Sequence, residues 1–481
     1  MDWDITVGIF TVVHFLGVLC IIPALLYTRT PQGAIAWIMT LVVIPFIAVP
    51  MYLIFGPRRF NGYIAGRKKL ADSVTNLSEH ISQGIAHLDA YKIDPDSVHN
   101  QTLSTLSKQI NLPITNGNDC KILIDAQRAF PEINEAILKA KDYVLVEFFI
   151  IKNDKTGKLF QELLIDRAKA GIKVFVIYDE IGSRKLPPGY IKSLRNAGVH
   201  IESFNGKRMF LRNIVRVNFR NHRKLVVVDG ISAFVGGMNI GQEYLGEGEL
   251  GYWRDTFVKL NGPSVQEAQM CFLDDWNWAN HYSPKVIPEV NWQPTICPEN
   301  KNVLILPSGP VDAIPGWKSA VILMANLAKR RLWIASPYFV PDEAVLSALQ
   351  MAAHRGVDVR VLRPHKADHI LVKLSSLTYL PEIEPYGLQI WDYQLGFLHQ
   401  KVILMDNDLA AIGTANLDNR SLTLNFELMA FIQNAETCKE VEKMLDRDFQ
   451  NSTPVDADEY EKRSIFFKLL CQLSRLLAPI Q

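Results

Sequence analysis

Cysteine is scarce in this chain, and what there is lies scattered. The six cysteines, Cys20, Cys120, Cys271, Cys297, Cys438 and Cys471, form no C-x-x-C pair and no cluster with histidine. That spacing argues against a zinc site or a disulfide framework and fits a reducing compartment. An excess of one charge is lacking too: the 481 residues sum to +1, so overall charge singles out no partner. Two stretches near the start lack charge altogether. Ile5 to Tyr27 and Gly33 to Phe55 each run 23 residues without Asp, Glu, Lys or Arg. Since about 20 helical residues cross a hydrocarbon core, both are predicted membrane spans, joined by the short Thr28–Gln32 link as a hairpin. The start, Met1-Asp2-Trp3-Asp4, has no basic region, and no small-residue cleavage site precedes the second run, which excludes a secretory signal peptide. Arg29 is the one basic residue between the spans, whereas Arg58, Arg59, Arg67, Lys68 and Lys69 follow the second. The positive-inside rule then puts the rest of the chain in the cytoplasm. His14 is expected to pack against the second helix, and Pro23, Pro45 and Pro50 to kink the spans.

What the chain does contain is one pattern written twice. Asn221-His222-Arg223-Lys224-Leu225-Val226-Val227-Val228-Asp229-Gly230 and Leu398-His399-Gln400-Lys401-Val402-Ile403-Leu404-Met405-Asp406-Asn407 both read H-x-K-x-x-x-x-D. In both, a glycine follows 14 positions after the histidine (Gly236, Gly413) and an asparagine 17 positions after it (Asn239, Asn416). Two patterns in one register, 177 residues apart, are not a chance event. The Val/Ile/Leu run after each histidine reads as a buried strand. Residues i and i+2 of a strand share a face, so His222 and Lys224 are predicted to point together, as are His399 and Lys401. An ammonium beside an imidazole suits an oxyanion: lysine holds the charge while histidine attacks phosphorus or moves protons. Asp229 and Asp406 lie at an odd offset and at a turn, off that face, and take supporting roles. A neutral nucleophilic imidazole needs its other nitrogen oriented by an acceptor. The carboxylates that follow the two motifs, Asp255 and Glu427, are the candidates.

These residues resemble the phospholipase D superfamily, whose members carry two such motifs, over roughly residues 115–450. The N-terminal Thr30-Pro31, Ala36-Trp37, Pro45 and Tyr52-Leu53-Ile54-Phe55-Gly56, with Gly413-Thr414-Ala415-Asn416-Leu417-Asp418, Arg420-Ser421 and Asn425-Phe426-Glu427, are similar to its bacterial cardiolipin synthases. The resemblance implies a phosphohistidine intermediate with no metal and no cofactor. It makes His222 the nucleophile and His399 the proton donor. It also implies that Lys224, Lys401, Asn239, Asn416 and the Thr414 hydroxyl hold phosphate. Thr414 has no counterpart in the first copy, where Gly237 stands.

The resulting organisation is a two-span anchor over residues 1–70, a connector over 71–115, two phospholipase D-like halves over 116–290 and 291–455, and an amphipathic helix over 456–481. Strand and helix patterns alternate in both halves, predicting a duplicated α/β fold with pseudo-two-fold symmetry and one shared site. Gly198 and Gly387 are 189 apart, 12 more than the histidines. The difference is a basic insertion before His222, in which Arg212, Arg216 and Arg220 either grip an anionic lipid or are solvated on a surface strand. Ile465, Phe466, Leu469, Leu470, Leu473, Leu476 and Leu477 fall on one helical face, which favours an interfacial helix over docking on protein.

The expected reaction is phosphatidyl transfer from one phosphatidylglycerol to another, giving cardiolipin and glycerol at a bacterial inner membrane, with no nucleic-acid partner. A membrane-tethered phosphodiesterase or nuclease is the rival in the same chemistry. A non-catalytic membrane scaffold is the rival of another class.

Overall fold

The computed structural model describes residues 2–28, 31–56, 86–97, 100–204, 219–280, 286 and 288–480. Arg29, Arg58, Arg59, Arg67, Lys68, Lys69, Arg212 and Arg216 lie outside them, as does the first part of the connector. The chain divides into two compact units, residues 1–69 with 205–219, and residues 70–204 with 220–481.

In the first unit, helix α1 (Asp2–Tyr27) carries one apolar stretch, Val7–Tyr27, of 21 residues. At 1.5 Å per residue that is about 30 Å, long enough to cross a bilayer. The second apolar run is not one continuous helix. It folds as α2 (Pro31–Val43) and α3 (Pro45–Phe55), broken at Ile44 with φ −132° and ψ 56°. Proline has no N–H to donate back along the helix, and its ring pushes the preceding residue out of helical backbone. Pro23 and Pro50 remain inside helices. Ala24, Leu41, Ala48, Val49 and Tyr52 form a small core. Gly17 permits the close approach, since a Cβ there would meet the Leu41 carbonyl oxygen at 2.7 Å. His14 stacks on Phe10 of its own helix at 4.5 Å and lies 3.2 Å from that residue's carbonyl, and Phe10 in turn lies 5.1 Å from Phe46 of α3.

The second unit bears out the duplication strand by strand. The first half contains β1 (Ile114–Ile124), β2 (Tyr143–Phe148), β3 (Lys173–Tyr178), β4 (His200–Ser203), β5 (Leu225–Val228), β6 (Ser232–Gly236) and β7 (Thr256–Asn261). Hydrogen bonding orders them β4-β3-β2-β5-β6-β7-β1, with β2, β3 and β4 parallel and the other pairs antiparallel. The second half contains β8 (Lys301–Ser308), β9 (Arg331–Ala335), β10 (Asp358–Pro364), β11 (Gln389–Tyr393), β12 (Val402–Met405), β13 (Leu409–Gly413) and β14 (Asn425–Gln433). Their order is β11-β10-β9-β12-β13-β14-β8, the same path with the same parallel triplet. β1 pairs with β8, so the two sheets join along the middle of the unit.

Each half has its own apolar core. The helix Gln101–Ile110, assigned to the connector from the sequence, buries Leu103 and Leu106 in the core of the second half. Its N-cap is Asn100, whose side chain accepts from the N–H groups of Thr102 and Leu103. Side chains on both faces of this central sheet are covered, which is why its strands read as continuous apolar runs in the sequence.

Candidate active site

Both histidines precede their strands: β5 begins at Leu225 and β12 at Val402. What holds them is a pair of crossed ladders between the halves. Arg220–Asn221 runs parallel to Asn425–Phe426, and the His222 N–H donates to the Phe426 carbonyl at 2.9 Å. Likewise Trp253–Arg254 runs parallel to Phe397–Leu398, and the His399 N–H donates to the Arg254 carbonyl at 2.8 Å. Each histidine is therefore set beside the residue that precedes a carboxylate of the other half.

The carboxylates follow the same crossing. Nδ1 of His222 lies 3.0 Å from both oxygens of Glu427. Nδ1 of His399 lies 2.7 Å from Asp255 Oδ2. These contacts put the Nδ1 proton toward the carboxylate and leave Nε2 with its lone pair. Both carboxylates proposed from the sequence thus reach a histidine, each the histidine of the opposite copy.

The two acids are not equivalent. Burial alone raises Glu427, but His222, Lys224 and the Thr414 hydroxyl outweigh it and hold the carboxyl below its usual range. Thr414 donates to Glu427 at 2.6 Å and Ser421 at 2.7 Å. Burial pushes Asp255 up to about 6, against the pull of Lys401 and of the Thr256 N–H. No hydroxyl fits on that side, because a Cβ at Gly237 would meet Asp255 Oδ1 at 2.2 Å. This accounts for the Gly237/Thr414 asymmetry. The Thr414 hydroxyl donates to the orienting carboxylate and accepts from the Leu428 N–H at 2.9 Å.

Lys224 and Lys401 are among the largest fully buried side chains. Lys224 Nζ donates to the His222 carbonyl at 2.6 Å, and Lys401 Nζ to the His399 carbonyl. Lys401 Nζ also comes within 2.9 Å of His399 Nδ1. Burial drives Lys224 well below its ordinary value and Lys401 down to about 8. Burial also lowers His222 to about 4 and His399 well below normal, and each of these imidazoles feels both lysines. The four groups therefore act on one another electrostatically. Two lysines, two imidazoles and the two carboxylates that orient them are thus buried together, so the protonation state of each depends on the others.

Aromatic rings wall the histidines. Phe149 lies edge-on to His222 at 5.0 Å, and Trp253 lies 5.4 Å and Tyr244 5.7 Å from His399. Tyr244 and Trp253 drew no role from the sequence, because an aromatic beside a motif reads as core. Asp368 is a further such residue: it accepts from Tyr338 at 2.7 Å and raises both His399 and Lys401.

The remaining candidates separate. Asn239 donates one amide N–H to Tyr244 at 3.0 Å, and its amide oxygen accepts from the Ile150 N–H at 3.0 Å. Asn416 donates to Asp418 at 3.0 Å, while its buried Oδ1 has no partner among the described residues. Asp229 and Asp406 do not join the site. They occupy left-handed backbone, φ 54° and 52°, at the turn that leaves each motif strand. The Asp229 carboxylate accepts from the N–H groups of Lys141, Asp142 and Tyr143 at 2.8, 2.9 and 2.8 Å. Asp406 accepts from Lys329, Arg330 and Arg331, the equivalent loop. Arg220 is buried, pushed down to about 10 by that burial and by Arg420 against the attraction of Asp179, and so is not a surface lipid contact.

The middle residues of the two motifs tie the halves to their surroundings. Arg223 pairs with Asp275 at 2.5 Å and donates to the Glu427 carbonyl at 3.1 Å. Gln400 donates to Asp448 at 2.7 Å, and Asp448 also accepts from Arg254 at 2.9 Å.

Residues 133–276 and 321–449 match the domain described as "Cardiolipin synthase, PLD-like domain", and residues 15–57 match "Phospholipase_D-nuclease N-terminal". The chain is 42% identical over 475 residues to cardiolipin synthase A of Pseudomonas putida (strain W619), covering 97% of each. It is 40% identical over 479 residues to cardiolipin synthase A of Pseudomonas aeruginosa (strain LESB58), covering 97% of this chain and 94% of that one. Among solved structures, the phosphatidylserine synthase of Haemophilus influenzae Rd KW20 shares the fold, with a TM-score of 0.62 at 15% identity over 79% of this chain and all of that one. Similarity that runs through both halves and nearly end to end places this chain in the cardiolipin synthase family of phospholipase D-like proteins.

Proposed function

We propose that the protein is a phosphatidyltransferase that joins two phosphatidylglycerol molecules into cardiolipin and releases glycerol. One observation carries this reading: two buried imidazoles, each tied at Nδ1 to a carboxylate of the opposite half, share a site with two buried lysines. In the first step His222 Nε2 attacks the phosphorus of one lipid. The bond from phosphorus to the glycerol oxygen breaks, and protonated His399 gives that oxygen its proton. In the second step His399 takes the proton of the second lipid's terminal hydroxyl. That oxygen attacks phosphorus, the phosphorus–nitrogen bond breaks, and His222 is restored. Lys224, Lys401 and the amides of Asn239 and Asn416 serve the phosphate oxygens, whose charge grows in each transition state. A bound phosphodiester also raises the affinity of both histidines for protons, which lets His399 act as the acid.

His222 fits the nucleophile, because Glu427 is the better-held and more fully ionised partner. The apolar α1 supports a membrane location. A hairpin completed by α2 and α3, with the catalytic unit on the cytoplasmic side of a bacterial inner membrane, agrees with the charge asymmetry of the sequence.

Lipid mass spectrometry of purified protein in phosphatidylglycerol vesicles containing EDTA tests this, with His222→Ala and His399→Ala alongside. Cardiolipin and glycerol from the unmodified protein alone are the expected result. Phosphatidic acid without cardiolipin means hydrolysis instead. Equal turnover by both variants removes the histidines from the reaction.

A further inference from the structure

The C-terminal helix Ile465–Arg475 does not lie alone. It packs along the helix Ile370–Leu377: Cys471 is fully buried, and Ser474 donates to the Leu371 carbonyl at 2.7 Å. Arg475 pairs with Glu382 on the same flank. The opposite side of the C-terminal helix is apolar and open: Ile465 is 74% exposed and Leu476 75%, with Phe466, Leu469 and Leu473 between them also exposed. Ile370 and Leu371 on the neighbouring helix continue this surface. Among the other described residues of the second unit, the exposed large apolar side chains are scattered along the chain.

Two further observations identify what covers this face. Arg463 stands exposed just ahead of the C-terminal helix beside Lys462, which pairs with Asp458; Lys468 lies part-way along the helix, and Lys373 sits on the neighbouring one. Cations flanking an apolar ridge match anionic headgroups above acyl chains. The surface also adjoins a cleft whose lining acts on the reaction site. Ile370 follows directly on Asp368 and His369, which line a cleft with Tyr338 and Arg363, and Asp368 acts electrostatically on His399 and Lys401.

We infer that the helices Ile370–Leu377 and Ile465–Arg475 together form a membrane-docking face that seats the mouth of the site on an anionic phospholipid bilayer. The face deepens the proposed function by giving the lipid a route from the bilayer to Tyr338 and Asp368. The physical claim of docking stands apart from the identity of the product.

A depth-quenching experiment in the full chain tests it. An environment-sensitive fluorophore is attached at Leu473→Cys, with the two incompletely buried cysteines, Cys20 and Cys297, changed to serine. The control site is the exposed Glu436→Cys. In proteoliposomes of phosphatidylglycerol carrying acyl-chain spin labels, the probe at residue 473 is expected to be quenched and the control to stay bright. Equal brightness at both sites overturns the inference. So does a cross-link from residue 473 to protein, which would mean that a second copy or another segment covers the face.

A second arm reads turnover. Phe466→Glu, Leu469→Glu and Leu473→Glu in combination remove no core packing. They are expected to lower turnover on vesicles by about tenfold or more while leaving turnover of monomeric, short-chain phosphatidylglycerol unchanged. Unchanged vesicle turnover overturns the inference. If the unmodified protein makes no cardiolipin, the function proposed above fails, and the quenching result still decides the docking face.

Discussion

Glu427 lies 3.0 Å from Nδ1 of His222 although 205 residues separate them in the chain. Asp255 and His399 repeat the relationship at 2.7 Å across 144 residues. Each half therefore contributes a histidine to the shared chemistry and a carboxylate to the other half's histidine, so neither half contains a complete catalytic unit.

Replacing Glu427 by Gln keeps the shape and removes the charge. Turnover is expected to fall by about 10²–10⁴-fold, the range in which a positioned acid or base contributes. In a double-variant cycle, Glu427→Gln combined with His222→Ala is expected to be no slower than His222→Ala alone, because the carboxylate acts through the imidazole. Additive losses would place Glu427 on the substrate instead.

Thr414→Val deletes the hydroxyl that supports Glu427. Loss of one hydrogen bond to a charged group, about 1.5–3 kcal/mol, corresponds to roughly a tenfold or greater loss. That loss is expected in kcat, with KM for phospholipid unchanged. A rise in KM at constant kcat would return Thr414 to the phosphate.

Asp229→Ala and Asp406→Ala each remove the carboxylate that accepts from three N–H groups of a neighbouring loop. Each is expected to lower stability by about 1–3 kcal/mol in chemical denaturation. Turnover per folded molecule is expected to stay within about twofold of the unmodified protein, as for a change away from the reacting atoms. A large fall in kcat without loss of stability would restore them to the catalytic group.

The dependence of kcat/KM on pH follows from two groups. Asp255 titrates at about 6 because burial raises it; as pH falls through that value it takes a proton and stops accepting from His399. Lys401 titrates at about 8 because burial lowers it; as pH rises through that value the phosphate loses a cation. Activity is expected to be highest between these limits and to fall on both sides. Lys401→Arg, which stays charged, is expected to remove the alkaline fall, and Asp255→Asn the acid one. Profiles that keep both limbs in the two variants would assign the titrations elsewhere.

Much of this molecule is local and therefore legible in the amino-acid order. The register shared by His222-x-Lys224 and His399-x-Lys401 disclosed the duplication, and the repeated order of strands follows from it. Uncharged runs marked the apolar N-terminus, and the spacing of Ile465 to Leu477 marked an amphipathic helix. The odd offset of Asp229 and Asp406 removed them from the catalytic face, although only the fold shows the backbone N–H groups they hold.

Other features depend on contacts between distant segments, which periodicity does not carry. Asp255 and Glu427 were found as acceptors, but their crossing to the opposite histidine comes from the ladders joining Asn221 to Phe426 and Arg254 to Leu398. The hydrogen bond from Thr414 to Glu427 was not legible because the two lie 13 residues apart across a strand pair. Pro45 was expected to kink a span, and only the structure shows that the interruption falls at Ile44, the residue before it, where the backbone leaves helical dihedrals. The sequence by itself determined which chemical groups this protein owns and that they come in pairs. Only tertiary structure decided which group faces which, because burial, crossed pairing and the resulting charge states belong to the packed chain.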